Sequence, residues 1–499
     1  MTDLVLAVDC STTGAKCIAW DLDGHAVASG RSELPLSIPH PGWGEQDPRD
    51  WWDATASAIR ECVGRIDPDR VRALAVTHQR ESFACIDAEG EALRPAMLWL
   101  DARAGAQVDR FGSARIHELT GKPPNPTPAL YKLLWLAEHE PATLARTAKV
   151  VDVHGYLVHR LTGRWATSTA SADPLGLMDF VKGSYSPEVL ELVGLTEDRL
   201  ADLVPPGDPI GTLTPSAADE LGLAASVVIV SGSGDGQSAG LGAGVTAPGD
   251  AYLNLGTGLI SGIFSPTYRP RLSHRSMAGA IAGSVNNELF VGAGTFLVSW
   301  FLNEIAAGEP DGVPREQYWQ ARAADIAPGA EGLFVVPYWN GQLTPLWDHR
   351  ARGVMIGFGG VHTRAHIYRA VLEGIAFELR WCLEHAEPHF DERVREFVAM
   401  GGGARSPLWC QIFADVLGRP LVLAGHDEAT ALGVGILAAA GAGLHANVTD
   451  AAAHMTRRGH RYEPDPAAVR RYDALYGVYR EVYPAVRPLF PAIEEVVDV

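Results

Sequence analysis

Two short turns of small and hydroxylated residues are the first candidates for chemistry in this sequence. The first is Ser11-Thr12-Thr13-Gly14, which lies between a strand-like run ending in Asp9 and the basic residue Lys16. The second is Gly256-Thr257-Gly258, which joins another pair of apolar runs. Backbone N–H groups and hydroxyls in such turns bind phosphate oxygens. Two turns, one with an acid suited to Mg²⁺ and a lysine, favour a nucleotide-phosphate site over plain hairpins.

Asp235 is the third candidate, in the glycine-rich run GSGDGQSAG that follows a buried strand. An acid at such a strand end can take a proton from a hydroxyl, although it can also be a simple turn residue. Gln237 stands where the third glycine of a dinucleotide fingerprint belongs, and no GxxxxGK[ST] motif occurs. The sequence therefore argues against a dehydrogenase and a P-loop NTPase.

A run of small residues, Gly401-Gly402-Gly403-Ala404, lies between a predicted strand at 397–400 and a predicted helix at 406–417. A backbone without bulky side chains allows a flat ring to approach closely. A helix-entry turn explains the same residues equally well. The run becomes informative only together with the two phosphate turns.

The elements around these residues predict a layered α/β protein. Residues 1–25 and 250–264 repeat one hairpin pattern, and strand-like runs alternate with amphipathic helices between them. Two copies of one hairpin predict two related domains. Turn residues at 245–249 place the boundary, so we expect domains at 1–245 and 246–499.

Composition limits the class of partner. The 499-residue chain carries 41 basic and 60 acidic residues, a net charge of −19, which disfavours binding to nucleic acid and to anionic membranes. Its six cysteines show no CxxC pair, and no apolar run approaches the roughly 18 residues that span a bilayer. We expect a cytoplasmic protein.

Several longer motifs resemble those of the FGGY carbohydrate kinases, which are members of the actin-like, ribonuclease-H-like ATPase superfamily. KLLWLAEH at 132–139 and GVMIGFGGVHTRAHIYRAVLE at 353–373 fit the two family signatures. AVDCSTTGAK, LNLGTG and GGGARSPLW resemble its two phosphate motifs and its adenosine motif. The resemblance implies two ribonuclease-H-like domains around a central cleft that holds ATP, Mg²⁺ and a small sugar or polyol.

The same resemblance implies roles for individual positions. Asp235 is the expected catalytic base, and Asp9 and Asp235 are the expected acids at the metal. The expected ATP contacts are Ser11, Thr12, Thr13, Lys16, Gly256, Thr257, Gly258, Gly402, Gly403 and Ala404. The expected substrate contacts are Gln79, Arg80, Glu81, Trp99, Asp235 and Gln237.

The substrate itself is left open between two members of the family. Arg80-Glu81 matches the polyol-binding pair of glycerol kinases, whereas Thr127 stands where those enzymes have a tyrosine. Overall spacing and ARSPLW resemble xylulokinases, so we expect a ketopentose of the xylulose type or a pentitol, with glycerol as the alternative. A chaperone-type ATPase is the alternative from another class, and the resemblance also allows a homodimer.

Overall fold

The computed structural model describes residues 2–309 and 311–497. In chain order the strands are β1 Leu4–Cys10, β2 Gly14–Trp20, β3 Ala26–Glu33, β4 Glu45–Gln46, β5 Val71–His78, β6 Phe83–Ile86, β7 Ala96–Met97, β8 Lys149–Asp152, β9 Ala166–Ser168, β10 Met178–Asp179, β11 Ser184–Tyr185, β12 Asp202–Val204, β13 Pro209–Thr212, β14 Val228–Gly234, β15 Asp250–Leu255, β16 Leu259–Ser265, β17 Arg275–Ala278, β18 Val285–Val291, β19 Phe334–Val336, β20 Val354–Ile356, β21 Glu396–Met400, β22 Leu421–Ala424 and β23 Arg458–Tyr462.

The helices, also in chain order, are α1 Pro48–Val63, α2 Gly105–Phe111, α3 Ala114–Thr120, α4 Ala129–His139, α5 Pro141–Arg146, α6 Val153–Thr162, α7 Thr169–Ala172, α8 Pro187–Val193, α9 Pro215–Leu221, α10 Asp235–Gly242, α11 Thr295–Trp300, α12 Arg315–Ala324, α13 Arg364–Ala386, α14 Pro407–Leu417, α15 Ala429–Gly441, α16 Val448–Met455, α17 Pro466–Val486 and α18 Leu489–Val497. Among the described residues, none of these helices combines the length and the apolar character needed to cross a membrane.

Two large sheets share one topology. The first has the order β3-β2-β1-β5-β14-β13, and the second has the order β17-β18-β16-β15-β21-β22-β23. In each sheet a hairpin, β1–β2 or β15–β16, is followed by two strands parallel to its first strand. The repeated hairpin in the sequence therefore corresponds to a repeated sheet in the structure.

Residues 4–8 of strand β1 form a continuous apolar run, as expected for a strand whose sheet is covered on both faces. Leu6 and Val8 pack on one face in a cluster with Trp51 of α1. Val5 and Ala7 pack on the other face with α15, which comes from the second half of the chain. The two halves thus share a core as well as a cleft.

Helix α15 meets α10 backbone to backbone. A Cβ atom added at Gly242 would lie 1.8 Å from the carbonyl oxygen of Ala429, and one added at Gly433 would lie 1.9 Å from that of Ser238. Only glycine allows this approach. The small residues of both helices therefore set the spacing between the acid Asp235, at the start of α10, and the start of α15.

Candidate active site

The first predicted phosphate turn joins β1 to β2. The Ser11 hydroxyl donates to the Gly14 carbonyl at 2.8 Å and closes the turn from within. Thr12 Oγ1 accepts a hydrogen bond from the Trp99 indole at 2.9 Å. Thr13 is exposed at the tip of the turn. Ser11 and Thr12 therefore shape the turn, and Thr13 is the hydroxyl available to a ligand.

Lys16 connects this turn to the second half of the chain. It lies opposite Asp9 in the β1–β2 ladder, and its Nζ lies 2.6 Å from Glu428 Oε1. Glu428 is the residue that precedes α15. Both side chains are partly exposed, so the pair adds little stability.

Asp9 is a carboxylate in an unusual environment. Its pKa is raised to about 7, mainly by burial and also by repulsion from Asp235 and Glu428, while the charge of Lys16 lowers it. Its Oδ1 atom is buried and has no hydrogen-bond partner among the described residues. A buried carboxylate oxygen without a partner, next to other acids, fits a cation such as Mg²⁺.

The second predicted phosphate turn joins β15 to β16. Thr295 and Phe296, at the start of α11, donate backbone hydrogen bonds to the carbonyls of Gly256 and Thr257 at 2.8 and 3.1 Å. The Thr257 side chain is exposed, and Gly258 borders a cavity. The carbonyl oxygens of Gly256 and Thr257 are thus hydrogen-bonded to the start of α11 on one side of the turn.

The predicted adenosine turn follows β21, and its three residues differ in exposure. Gly402 is exposed, and a Cβ added there meets nothing within 4 Å. A Cβ at Gly403 would lie 2.6 Å from the Trp409 ring, and Ala404 is buried. The backbone at Gly402 is therefore open, whereas Gly403 and Ala404 pack the turn onto the core.

A cavity of about 360 Å³ lies between the two halves. It is lined by Arg80, Glu81, Trp99, Asn125, Pro126, Thr127, Asp235, Gly258, Ile260, Arg275, Phe290, Leu343, Trp347 and His349. Most of the exposed surface of the lining is apolar, and polar and charged groups converge on it, which is typical of a small-molecule site. Trp99 is 41% exposed and presents its ring there.

One continuous charge network crosses the cavity from Asp235 to Glu81. Arg80 contacts Asp235 at 2.9 Å through Nε and Glu288 at 2.6 Å through Nη1. Arg275 contacts Glu288 at 2.7 Å through Nη2 and Glu81 at 2.6 Å through Nη1. Burial works against the charge on Glu288, but Arg80 and Arg275 outweigh it and hold its pKa at about 2. All five side chains are therefore held in ion pairs.

Asp235 is fixed through one of its two oxygens. Oδ1 accepts from the Gly236 backbone N–H at 2.7 Å and from Arg80 Nε at 2.9 Å. The side chain is nearly half exposed to the cavity. Its orientation is thus set through Oδ1, which leaves Oδ2 as the oxygen suited to accept a proton.

Gln79 and Gln237 lie behind the cavity instead of lining it. The Gln79 amide donates to Gln46 and accepts from the Thr12 hydroxyl. The Gln237 amide donates to the carbonyls of Ala170 and Ala278 at 3.0 and 3.3 Å. Both glutamines are almost fully buried, so in this conformation they support the phosphate turn and Arg80.

Comparison with known proteins decides the family. The model of the FGGY family of carbohydrate kinases, N-terminal domain, matches residues 4–242, and the C-terminal domain model of the same family matches residues 251–442. The chain belongs to the FGGY family of carbohydrate kinases. It is an ATP-dependent sugar kinase with the two-domain α/β fold that the sequence predicts. A chaperone-type ATPase is therefore excluded.

Similar proteins act on more than one sugar. This FGGY kinase is 29% identical to a xylulose kinase of Escherichia coli over 97% of its own length and 100% of that protein. It is 24% identical to a gluconokinase of Bacillus subtilis, with 96% and 95% covered. The crystal structure of xylulose kinase from Rhodospirillum rubrum superposes with a TM-score of 0.91 at 28% identity, covering 98% of this chain and 99% of that one.

Three charged residues of this FGGY kinase site escaped the sequence analysis. Arg275 and Glu288 are directly opposite in the β17–β18 pair, and Glu428 precedes α15. The contact between Arg275 and Glu288 depends on the register of the two strands, which a single sequence does not reveal. Charged residues in otherwise buried strands were the available signal, because such residues need partners.

Proposed function

We propose that this kinase transfers the γ-phosphoryl group of ATP to a hydroxyl of a neutral, open-chain ketopentose of the xylulose type, or of the corresponding pentitol. The observation that carries the proposal is the cavity where Arg80, Glu81, Trp99 and Asp235 converge. Similarity to xylulose kinases supports the ketopentose. Arg80, Glu81, Trp99 and Asp235 keep the substrate roles that the family resemblance implies, whereas Gln79 and Gln237 support them from behind the cavity.

Charge balance in the cavity supports a neutral substrate. The network contains three carboxylates, Asp235, Glu288 and Glu81, and two guanidiniums, Arg80 and Arg275, so its sum is −1. Each guanidinium already contacts two carboxylates. A sugar acid would bring another negative charge while both guanidiniums of the network are already paired, which disfavours gluconate as the substrate.

The polar residues of the cavity also suit a substrate with several hydroxyl groups. A guanidinium donates to neighbouring hydroxyls and a carboxylate accepts from them, so Arg80 and Glu81 together fit a polyol chain. The Trp99 ring covers the C–H side of such a chain. Thr127 lines the cavity at the place where a tyrosine would fill it, and this leaves room for more than three carbons.

Different residues of the site have different roles in phosphoryl transfer. Asp235 Oδ2 accepts the hydroxyl proton as the substrate oxygen approaches phosphorus in line. Thr13, Lys16 and the turn at 256–258 donate to the phosphates, and Gly402 borders the adenine. Asp9, together with Asp235, is the proposed holder of Mg²⁺, which when bound neutralises phosphate charge.

The proposed domains, 1–245 and 246–499, assign the two phosphate turns to different halves of the chain. Closure of these domains would exclude water and align the two substrates. Lys16 and Glu428, which already bridge the halves, lie where such closure would change contacts.

Glycerol remains the second candidate because Arg80-Glu81 matches the pair of glycerol kinases. The test is a coupled ADP-release assay with ATP and glycerol, tetritols, pentitols, ketopentoses, ketohexoses and gluconate. We expect a ketopentose or pentitol to exceed glycerol by at least about tenfold in kcat/KM, equivalent to about 1.4 kcal/mol. Glycerol as the best substrate would establish the alternative, and gluconate as the best would refute the charge argument.

A further inference from the structure

Lys132 is a fully buried lysine whose hydrogen-bond partners are all backbone carbonyls. It lies in the first turns of α4 and is 0% exposed. Its Nζ donates to the carbonyls of Glu81 at 3.2 Å, Leu98 at 2.8 Å and Thr127 at 2.7 Å. Burial lowers the pKa of Lys132 to about 7, while the charges of Glu81 and Asp101 oppose this and that of Arg103 reinforces it. An ammonium held without a direct carboxylate contact is costly to bury.

The three carbonyls belong to three separate segments of the cavity wall. Glu81 lines the cavity, Leu98 precedes the cavity residue Trp99, and Thr127 lines it from a third side. An ammonium group has three N–H donors, and each has one acceptor here. The lysine therefore connects segments whose acceptor residues, Glu81, Leu98 and Thr127, are 17 and 29 residues apart in the chain.

Glu81 shows why such a tie is needed. Its backbone has φ +60°, a left-handed conformation that costs a non-glycine residue on the order of 1–2 kcal/mol. Lys132 holds its carbonyl, and Arg275 holds its carboxylate at 2.6 Å. Strained backbone of this kind persists only where the surroundings determine it from several sides.

We propose that Lys132 is a positioning residue for the sugar, which fixes Glu81, Trp99 and Thr127 in the arrangement that binds it. The inference rests on the proposed function for the location of the sugar. It does not depend on which sugar is bound. Lys132 touches neither the sugar nor the phosphates and acts through the backbone of the three segments.

The test replaces Lys132 by methionine, which keeps an unbranched chain and removes the donors. Small misplacements of binding groups cost up to about 100-fold, so we expect Lys132→Met to lower kcat/KM for the best sugar by about 10- to 100-fold. KM for ATP should stay within about twofold. Lys149→Met is the matched control, because Lys149 also donates to two carbonyls, those of Asp198 and Leu200, outside the cavity lining.

A second readout needs no sugar. Amide hydrogen exchange in the peptides that cover 79–82, 97–101 and 125–128 should become at least about tenfold faster in Lys132→Met, with exchange elsewhere unchanged. If these peptides respond while the ketopentose fails as a substrate, the proposed function is refuted and the positioning role stands.

Three outcomes would overturn the positioning role. These are unchanged sugar kinetics, an equal rise of KM for sugar and ATP, and faster exchange across the whole protein. Lys132→Gln, a shorter neutral donor, replaces the methionine variant if that variant does not fold. Failure of both variants to fold would show that the lysine is needed for stability alone.

Discussion

Glu288→Gln is the sharpest perturbation of the charge network. Glu288 is 1% exposed and lies between Arg80 and Arg275. Glutamine resembles the protonated carboxyl, so its cost follows from the pKa, which is about 2 against an ordinary value of 4.5. At about 1.4 kcal/mol per pKa unit, the ionised form is favoured by about 3 kcal/mol. We expect the variant to lose about this much free energy of unfolding at neutral pH.

The pH dependence has a definite sign. The pKa of Glu288 is lower in the folded than in the unfolded state, so its contribution is fully present above about pH 4.5. It is lost as the pH falls towards 2, because the unfolded chain takes up the proton first. The difference between the wild type and Glu288→Gln should therefore shrink over that window.

Urea unfolding followed by circular dichroism at pH 7 and at about pH 3 measures both effects. Glu188→Gln is the control, because Glu188 forms an exposed pair with Arg115 and should change stability little. A Glu288→Gln protein within about 1 kcal/mol of the wild type at pH 7 would show that the charge network does not stabilise the folded protein as the low pKa of Glu288 implies.

Five further substitutions test other parts of the site. Thr127→Tyr should fill the cavity and raise the kcat/KM of glycerol relative to that of a ketopentose by at least about fivefold in the substrate panel. An unchanged ratio would refute the argument that Thr127 leaves space for a longer substrate. Gly402→Ala should raise KM for ATP and leave the sugar KM and stability unchanged, whereas Gly403→Ala should lower the melting temperature because its Cβ has no space. Lys16→Met should lower kcat by about 100-fold, because it loses a donor to the phosphoryl group in transfer, whereas Glu428→Gln should retain activity. Near-normal turnover by Lys16→Met would show that Lys16 does not bind the phosphates.

Much of the fold could be predicted from local sequence patterns. The helix at 406–417 was predicted from its apolar pattern, and in the structure α14 begins where the Ser406 hydroxyl accepts from Trp409 N and Pro407 opens the helix. The hairpins were visible because apolar runs of strand length flank small-residue turns. These signals lie within a few residues of one another, so one sequence contains them.

The unpredicted part of the site depends on long-range packing. Glu288 reaches Arg80 across 208 positions of the chain, and the acceptors of Lys132 are backbone atoms that carry no sequence signal. Lys132 itself was noticed only as part of the KLLWLAEH motif. Gln79 and Gln237 were placed among the substrate contacts by resemblance, and the structure turns their amides towards buried neighbours.

Phosphoryl transfer with Asp235 as base is the central claim, and one comparison tests it most directly. Sugar phosphate and ADP are followed by ³¹P NMR for the wild type and Asp235→Asn with saturating ATP and the best ketopentose. We expect equal amounts of both products from the wild type, and a variant that is slower by about 10²- to 10⁴-fold while binding ATP normally. Near-normal turnover by Asp235→Asn, or ADP release without sugar phosphate, would contradict the account.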